Sequence, residues 1–417
     1  MKVLVIGGGG REHALVWKLS QSRHVSKIYS SPGNAGMAEI AQCIDLSPNN
    51  FNAIVDFVKY EWIDLTIVCS EKFLAQGIVD FFEREGHRIL GPDRAAAQVG
   101  LSRVFAKNLM RLHGIPTAEY KVFSSYLHAQ DYIRLMGAPI VIKTDGRSEE
   151  NGSFLATTTE EAKNILKLIM EDRIFGEAGR HVIIEERLSG ERVSFVALTD
   201  GKVVTPLTSL YIYRGDEISP NTIGMGAYSP VYRVKEELKA YIMEKIMEPL
   251  LKAFHSEGIN HKGFISADLV VHEEGARVFE LSCCLKDLES QTILPRLKTD
   301  FIDMVSAVTG ERLSDAGIEM EQNATVCIVS ATEGYSKSRD GLALSGLEKI
   351  KTMKDVVAFH ENTSFNDSGI VTTGGRVICV AASGKDPEDA KVKAYQAMEE
   401  IHFEGMYYRK DIANKIL

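Results

Sequence analysis

The sequence predicts a multidomain protein of mixed α/β and α+β class. Three observations carry this. A buried-strand signal at the N-terminus runs straight into four glycines, strands alternate with helices over the first hundred residues, and a compact β-α-β-loop-α-β unit follows near residues 120–189. The 417 residues leave room for about two to four domains at ~150 residues each.

In chain order, Lys2-Val3-Leu4-Val5-Ile6 is the first strand and Gly7-Gly8-Gly9-Gly10 its turn, with a helix from His13 to Leu19. The next elements are a strand at Lys27–Ser30, a helix at Phe51–Val58, a strand at Asp64–Cys69, a helix at Gly77–Glu85 and a strand at His87–Leu90. Strand-helix alternation with Gly, Pro or Ser in each loop specifies a parallel sheet, here over residues 1–100. Ser102 to His113 reads as a helix stopped by Gly114-Ile115-Pro116. Strands at Tyr120–Phe123, Pro139–Lys143 and His181–Glu186, with helices at Tyr126–Met136 and Thr159–Met170, form a small subdomain over 120–189. Residues 101–119 and 190–325 form a central unit with turns at Asp200-Gly201 and Glu273-Glu274-Gly275 and a long helix from Lys235 to Phe254. Residues 326–417 form a last α/β piece with a helix from Pro387 to Ile401.

Composition excludes several classes. Hydrophobic residues make up 45% and charged residues 25%, which rules out global disorder. With 48 basic against 57 acidic residues the formal charge is −9, so neither a nucleic-acid partner nor a membrane surface is expected. No stretch approaches the ~18 uninterrupted apolar residues of a transmembrane helix. The six cysteines lack metal-type spacing, and the expectation is buried reduced thiols in the cytoplasm.

The residues that could carry chemistry follow the strand ends. Gly7 to Gly10, between a strand and a helix, presents backbone N–H groups to an anion, although a tight turn without a ligand explains the same glycines. The second strand ends in Ser31-Pro32-Gly33-Asn34-Ala35-Gly36, a loop that suits a phosphosugar better than a dinucleotide. Lys143-Thr144-Asp145-Gly146 opens a polar loop, and a lysine there suits nucleotide phosphates, although solvated lysines are far commoner. Glu185-Glu186 could accept from a ribose or an adenine amino group. Glu280 and Asp268 lie on neighbouring strands, and a hairpin turning at Glu273–Gly275 places their carboxylates close together. Two such carboxylates suit Mg²⁺, while Asp268 pointing to solvent or pairing with a base such as Lys298 is the plainer alternative. The Gly/Pro loop at 220–230 has the length of a ligand cover.

These motifs, in order, resemble one family. Val5-Ile6-Gly7-Gly8-Gly9-Gly10-Arg11-Glu12-His13-Ala14, Pro32-Gly33-Asn34-Ala35-Gly36, Gly91-Pro92 and His113-Gly114-Ile115-Pro116-Thr117-Ala118 resemble the phosphoribosylamine–glycine ligases. So do the 220–230 loop, Thr373-Gly374-Gly375-Arg376-Val377 and Ile401-His402-Phe403-Glu404-Gly405-Met406, which extends the resemblance over essentially the whole chain. It implies an ATP-grasp fold behind an N-terminal parallel α/β domain, with 120–189 as the lid. The implied reaction joins glycine to 5-phosphoribosylamine with ATP and Mg²⁺, through a glycyl phosphate, in purine biosynthesis. By position, Lys143 would hold the nucleotide phosphates, with Asp145 also retained for nucleotide binding, Glu185 and Glu186 would bind the nucleoside, and Glu280 would ligate the metal. Asp268 stands where the family usually has a small residue, at a place other ATP-grasp enzymes use for a metal carboxylate, and would replace the ligand lost at Ser282. Asp287 would hold the glycine amine, Arg214 is a catalytic candidate retained after the family's Gln-Asp-His-Lys run, here Leu210-Tyr211-Ile212-Tyr213, and Gly8-Gly9-Gly10-Arg11, Gly33-Asn34 and Gly374-Gly375-Arg376 would frame the phosphoribosyl site.

The departures fall on ligand-contacting motifs. The family's lid lysine is Asn151, its metal-ligating asparagine is Ser282, its substrate arginine is Cys284, and its Gly-Asp-Pro-Glu is Lys286-Asp287-Leu288-Glu289. The sequence therefore implies a ligase of impaired or altered activity. The alternative is a degenerate paralogue that keeps the scaffold as a binding or regulatory protein with a protein partner.

Overall fold

The computed structural model describes residues 1–146, 152–213, 224–333, 340–367 and 369–416. The expected parallel sheet forms first, in the strand order Gln42–Cys43, Lys27–Pro32, Lys2–Gly7, Leu65–Val68, Ile89–Leu90. All four of its pairings are parallel. Val3 to Ile6 are wholly buried, the unbroken apolar run that a strand covered on both faces needs. The helices Gly10–Ser20, Phe51–Glu61 and Ile78–Arg84 accompany it.

A second, four-stranded sheet runs Tyr120–Phe123, Val182–Glu186, Ile140–Thr144, Ser153–Ala156. The helices Tyr126–Met136 and Thr159–Met170 pack on it around a core of their own that includes Ala129, Ile133, Ile142, Leu166 and Ile184. Thr158 caps the second helix by accepting from the Glu161 N–H, and Glu161 accepts in return from the Thr157 N–H.

The third sheet holds nine strands. Gly275–Ser282, Gly263–His272, Glu191–Thr199, Val204–Tyr213 and Gly226–Ser229 continue directly into Ala324–Thr332, Arg376–Gly384 and Val356–His360, with Met406–Tyr407 beside Ala324–Thr332. The C-terminal strands thus extend the central sheet, joined where Ala227 pairs with Cys327. The long helix read from Lys235 to Phe254 is two α-segments, Glu236–Ile242 and Glu248–Ser256, around a π-turn at Met243–Met247. The widening comes just before Pro249, which has no N–H to give an α-turn. None of the six cysteines is in a disulfide, and all but Cys43 are buried. No helix among the described residues is long and apolar enough to cross a membrane.

Candidate functional site

The site begins where the four-stranded sheet meets the central hairpin. The Lys143 side chain, on the strand Ile140–Thr144, is fully buried, and its ammonium lies 2.5 Å from Glu185 Oε1. Lys107 reaches Glu185 Oε2 at 2.6 Å, so one carboxylate faces two buried ammoniums. Burial outweighs the attraction of Glu185 and pushes Lys143 down to about 8. Burial also opposes the charge on Glu185, yet Lys143 and Lys107 together hold it below the ordinary carboxylate range. The Phe279 ring carries Lys143 Nζ at 3.4 Å and Arg192 Cζ at 3.9 Å from its centroid. Such contacts contribute up to about 2 kcal/mol when desolvated. A cleft of about 210 Å³ opens beside them, lined by Val141, Leu155, Glu185, Leu188, Arg192 and Phe279.

Glu186 is half-buried and pairs with Arg277 at 2.9 Å. Asp145 Oδ1 accepts from Ser102 Oγ at 2.8 Å and from the Val104 N–H at 2.9 Å, which fixes it to the start of the helix Arg103–Leu112.

The hairpin turns as expected, and Asp268 is the direct cross-strand partner of Glu280. Facing pairs share a sheet face, so the two carboxylates lie on one side. Each holds a cation of the chain. Arg103 Nε is 3.1 Å from Glu280 Oε1, while its Nη1 donates to the carbonyls of Thr144 at 3.0 Å and Gly146 at 3.1 Å. Lys286 Nζ is 3.0 Å from Asp268 Oδ1 and 3.1 Å from Glu289 Oε1. Asp268 thus pairs with a basic residue, as the plainer alternative had it, but the residue is Lys286, which Glu289 also holds, and not Lys298, which bonds Glu319 at 2.7 Å. Ser282 Oγ donates to the Cys284 carbonyl at 3.1 Å, and the Cys284 thiol is buried against the Cys69 carbonyl at 3.5 Å.

Beyond Lys286 the cluster continues through three glycine-bearing segments. Asn34 Nδ2 donates to the Gly8 carbonyl at 2.9 Å and the His360 carbonyl at 2.8 Å, tying the two N-terminal loops to the C-terminal strands. A methyl on Gly8 would sit 2.5 Å from the Gly33 carbonyl oxygen. Gly8→Ala should therefore destabilise the protein by about 1–3 kcal/mol, read from urea denaturation, and an unchanged midpoint would show that the two loops are not interlocked. The Gly9 N–H, one of the free helix-start donors, is held by Glu12 Oε2 at 3.1 Å, and Arg11 Nε lies 2.8 Å from Glu12 Oε1. Gly375 offers its carbonyl to the Thr332 N–H at 2.8 Å, and a methyl on Gly374 would meet the Asn362 side chain at 2.7 Å. Arg376 reaches Asp287 at 3.1 Å through Nη2 and Glu361 at 2.6 Å through Nε. Burial works against the Asp287 charge, but Arg376 and Arg11 hold it below its ordinary value. Arg214 lies outside the described residues.

Arg103, Lys107, Glu12 and Glu361 were not among the sequence candidates. The first two are four apart on one helix and so share a face, a spacing the sequence displays. Nothing local marks Glu361.

Residues 1–100 match the Phosphoribosylglycinamide synthetase, N domain; 101–290 the Phosphoribosylglycinamide synthetase, ATP-grasp (A) domain; and 325–415 the Phosphoribosylglycinamide synthetase, C domain. The chain belongs to the phosphoribosylglycinamide synthetase family.

Relatives are similar over their full length. The phosphoribosylamine–glycine ligase of Caldanaerobacter subterraneus subsp. tengcongensis is 42% identical, with 99% of each chain covered. That of Escherichia coli K12 is 39% identical over 99% of this chain and 98% of the relative. The crystal structure of phosphoribosylamine–glycine ligase from Thermotoga maritima superposes with a TM-score of 0.84 at 26% identity, covering 99% of this chain and 100% of that one. Within the synthetase family's ATP-grasp frame, the paired carboxylates of Asp268 and Glu280 are the hard oxygen donors a divalent cation takes, so the donor set fits Mg²⁺. The ammonium of Lys286 is the group such a cation would displace from Asp268.

Proposed function

We propose that this chain is an ATP-dependent carboxylate–amine ligase of the phosphoribosylamine–glycine ligase type, acting in the cytoplasm with its thiols reduced and with turnover lowered by its replaced residues. One observation carries the reading. Polar contacts run in steps: Lys143 lies over Phe279, the next residue, Glu280, faces Asp268, and Asp268 holds Lys286; the next residue, Asp287, meets Arg376, whose partner Glu361 packs on Gly10. That series has a cation for phosphates at one end, a carboxylate pair in the middle and an arginine at a glycine turn at the other end. This order serves ATP, its metal and a phosphorylated amine acceptor.

In this reading Lys143 neutralises nucleotide phosphates while Glu185 holds its side chain in place, and Glu186 faces the nucleoside. Asp145, held by Ser102 and the Val104 N–H, stands at the nucleotide end, and Glu280 and Asp268 would hold Mg²⁺, which screens phosphate charge when bound. Asp287 receives the glycine amine, and Arg214 is the retained catalytic candidate. Gly8, Gly9, Gly10, Arg11, Gly33, Asn34, Gly374, Gly375 and Arg376 frame the phosphoribosyl end. Glycine carboxylate attacks the γ-phosphorus with ADP leaving, then the acceptor amine attacks the acyl carbon with phosphate leaving.

The test is ADP release with ATP, Mg²⁺, glycine and freshly made phosphoribosylamine. Release that requires both glycine and the amine supports the ligase.

A second reading, a binding or regulatory paralogue, is favoured by one feature: Glu185, Glu280, Asp268 and Arg376 each already hold a counter-charge of the chain itself. No ADP release together with ATP binding by calorimetry would select it. The carboxylate pair is checked in the same experiment. Asp268→Asn should weaken Mg²⁺-dependent nucleotide binding several-fold with the apo melting temperature nearly unchanged, whereas Lys286→Ala, removing the competing ammonium, should strengthen it. Equal Mg²⁺ dependence in both variants would remove Asp268 from the metal site.

A further inference from the structure

We infer that Glu361 is a specificity-determining residue: its carboxylate occupies the anion position on Arg376, so that a phosphorylated acceptor binds only by displacing it. The inference rests on the reading that Arg376 and the Gly8–Gly10 turn frame the phosphate end of the acceptor.

The geometry is that of an internal anion seated at a guanidinium. Glu361 is buried, with Oε2 held by Arg376 Nε at 2.6 Å. Its other oxygen, Oε1, is buried and has no hydrogen-bond partner among the described residues. An unpartnered carboxylate oxygen in a closed site is a costly arrangement. It marks a position where a further donor, from a ligand or a bound proton, would be stabilising. Gly10 makes the room: a methyl there would lie 2.6 Å from Glu361 Cγ and 2.7 Å from Gln291 Nε2, so the carboxylate packs directly against the first turn of the helix Gly10–Ser20. An arginine fork and a helix start are what a phosphate group uses, and Glu361 lies on both.

The surroundings make this carboxylate exchangeable. Burial raises its proton affinity most, Arg376 opposes, and Asp287 and Glu12 add to the rise, so that it titrates at about 7. Arg11 pairs with Glu12 on the same helix, the thiol of Cys379 lies on the Arg376 strand, and His360 and His13 neighbour one another beside the cluster with burial keeping both neutral near pH 7. Protonation of Glu361 removes its charge from Arg376, leaving the guanidinium to an incoming phosphate. Binding of the phosphate then takes up one proton at Glu361, and no covalent bond changes. An unphosphorylated acceptor has no charge to compete for Arg376.

Ribose 5-phosphate is a stable probe of this end, and ribose is its uncharged control. Calorimetry at pH 6 and pH 8, in buffers of different ionisation enthalpy, separates proton uptake at the protein from that of the phosphate, because Glu361→Gln carries the same ligand without the titrating group. Relative to the wild type, Glu361→Gln should bind ribose 5-phosphate about tenfold more tightly at pH 8, the ratio expected one unit above a carboxyl titrating near 7, and should lose the extra proton uptake. Glu361→Ala, which also removes the carboxylate, should show the same gain, and ribose affinity should be unchanged in both variants. Equal affinity and equal proton uptake in wild type and both variants would overturn the inference while leaving the site reading intact, provided that Arg376→Ala still loses binding. Affinity that Arg376→Ala leaves unaltered, or no binding by any of these proteins, would overturn the site reading and the inference together.

Discussion

Glu185→Gln should destabilise the folded chain by about 3–5 kcal/mol, the range for breaking a buried ion pair by removing one partner. The variant leaves Lys143 and Lys107 buried without the carboxylate that both contact, at 2.5 Å and 2.6 Å. Urea denaturation of wild type and variant at pH 7 measures it. A companion variant, Lys107→Met with Glu185→Gln, should lose less than the sum of the two single changes, because the two groups share one interaction. The pH dependence has a fixed sign. The folded-state value of Glu185 is lowered below the ordinary carboxylate value, so its contribution is complete above that ordinary value and disappears as pH falls through the folded one. Wild type should therefore lose stability in acid more steeply than Glu185→Gln. A loss under 1 kcal/mol at neutral pH, or parallel acid profiles, would mean that water or relaxation already compensates the lysines.

Turnover with glycine and phosphoribosylamine should fall about 10²–10³-fold below that of the Escherichia coli relative assayed side by side, the loss typical of removing one preorganised charge-stabilising donor. Cys284 stands where the resemblance implies a substrate arginine, and its buried thiol, against the Cys69 carbonyl, offers no planar charged fork. Ser282 stands where an asparagine is implied, and its hydroxyl is already donated to the Cys284 carbonyl. Several losses in one site do not add strictly, so the single-donor range is the safer expectation. Equal rates for the two enzymes would show that another cation of the cluster, Lys286 first, supplies the missing charge.

The parallel N-terminal sheet was determined by the sequence alone, because continuous runs such as Val3–Ile6 and Leu65–Val68 can be covered on both faces only between helices. The hairpin itself was equally local, since a turn at Glu273–Gly275 and a side-chain period of 2 set its register as far as Leu269 opposite Val278. Continued unchanged, that register would put Phe279 opposite Asp268; the bulge between Asp268 and Leu269, which the sequence does not mark, brings Glu280 there instead. The π-turn and the strand addition that carries the central sheet into the C-terminal strands were not local, since both depend on what packs against them.

Counter-charges were decided only by the tertiary structure. Arg103 meets Glu280 across 177 residues of sequence, and Lys107, Lys143 and Glu185 come from three separate elements. Glu361 finds Arg376 only because two strands of the C-terminal sheet pair and the first helix closes over them. A residue type and its local spacing fix what a side chain can donate or accept. Which partner it takes follows from burial, where a charge left without an opposite one is too unfavourable to persist, and burial is a property of the packed chain.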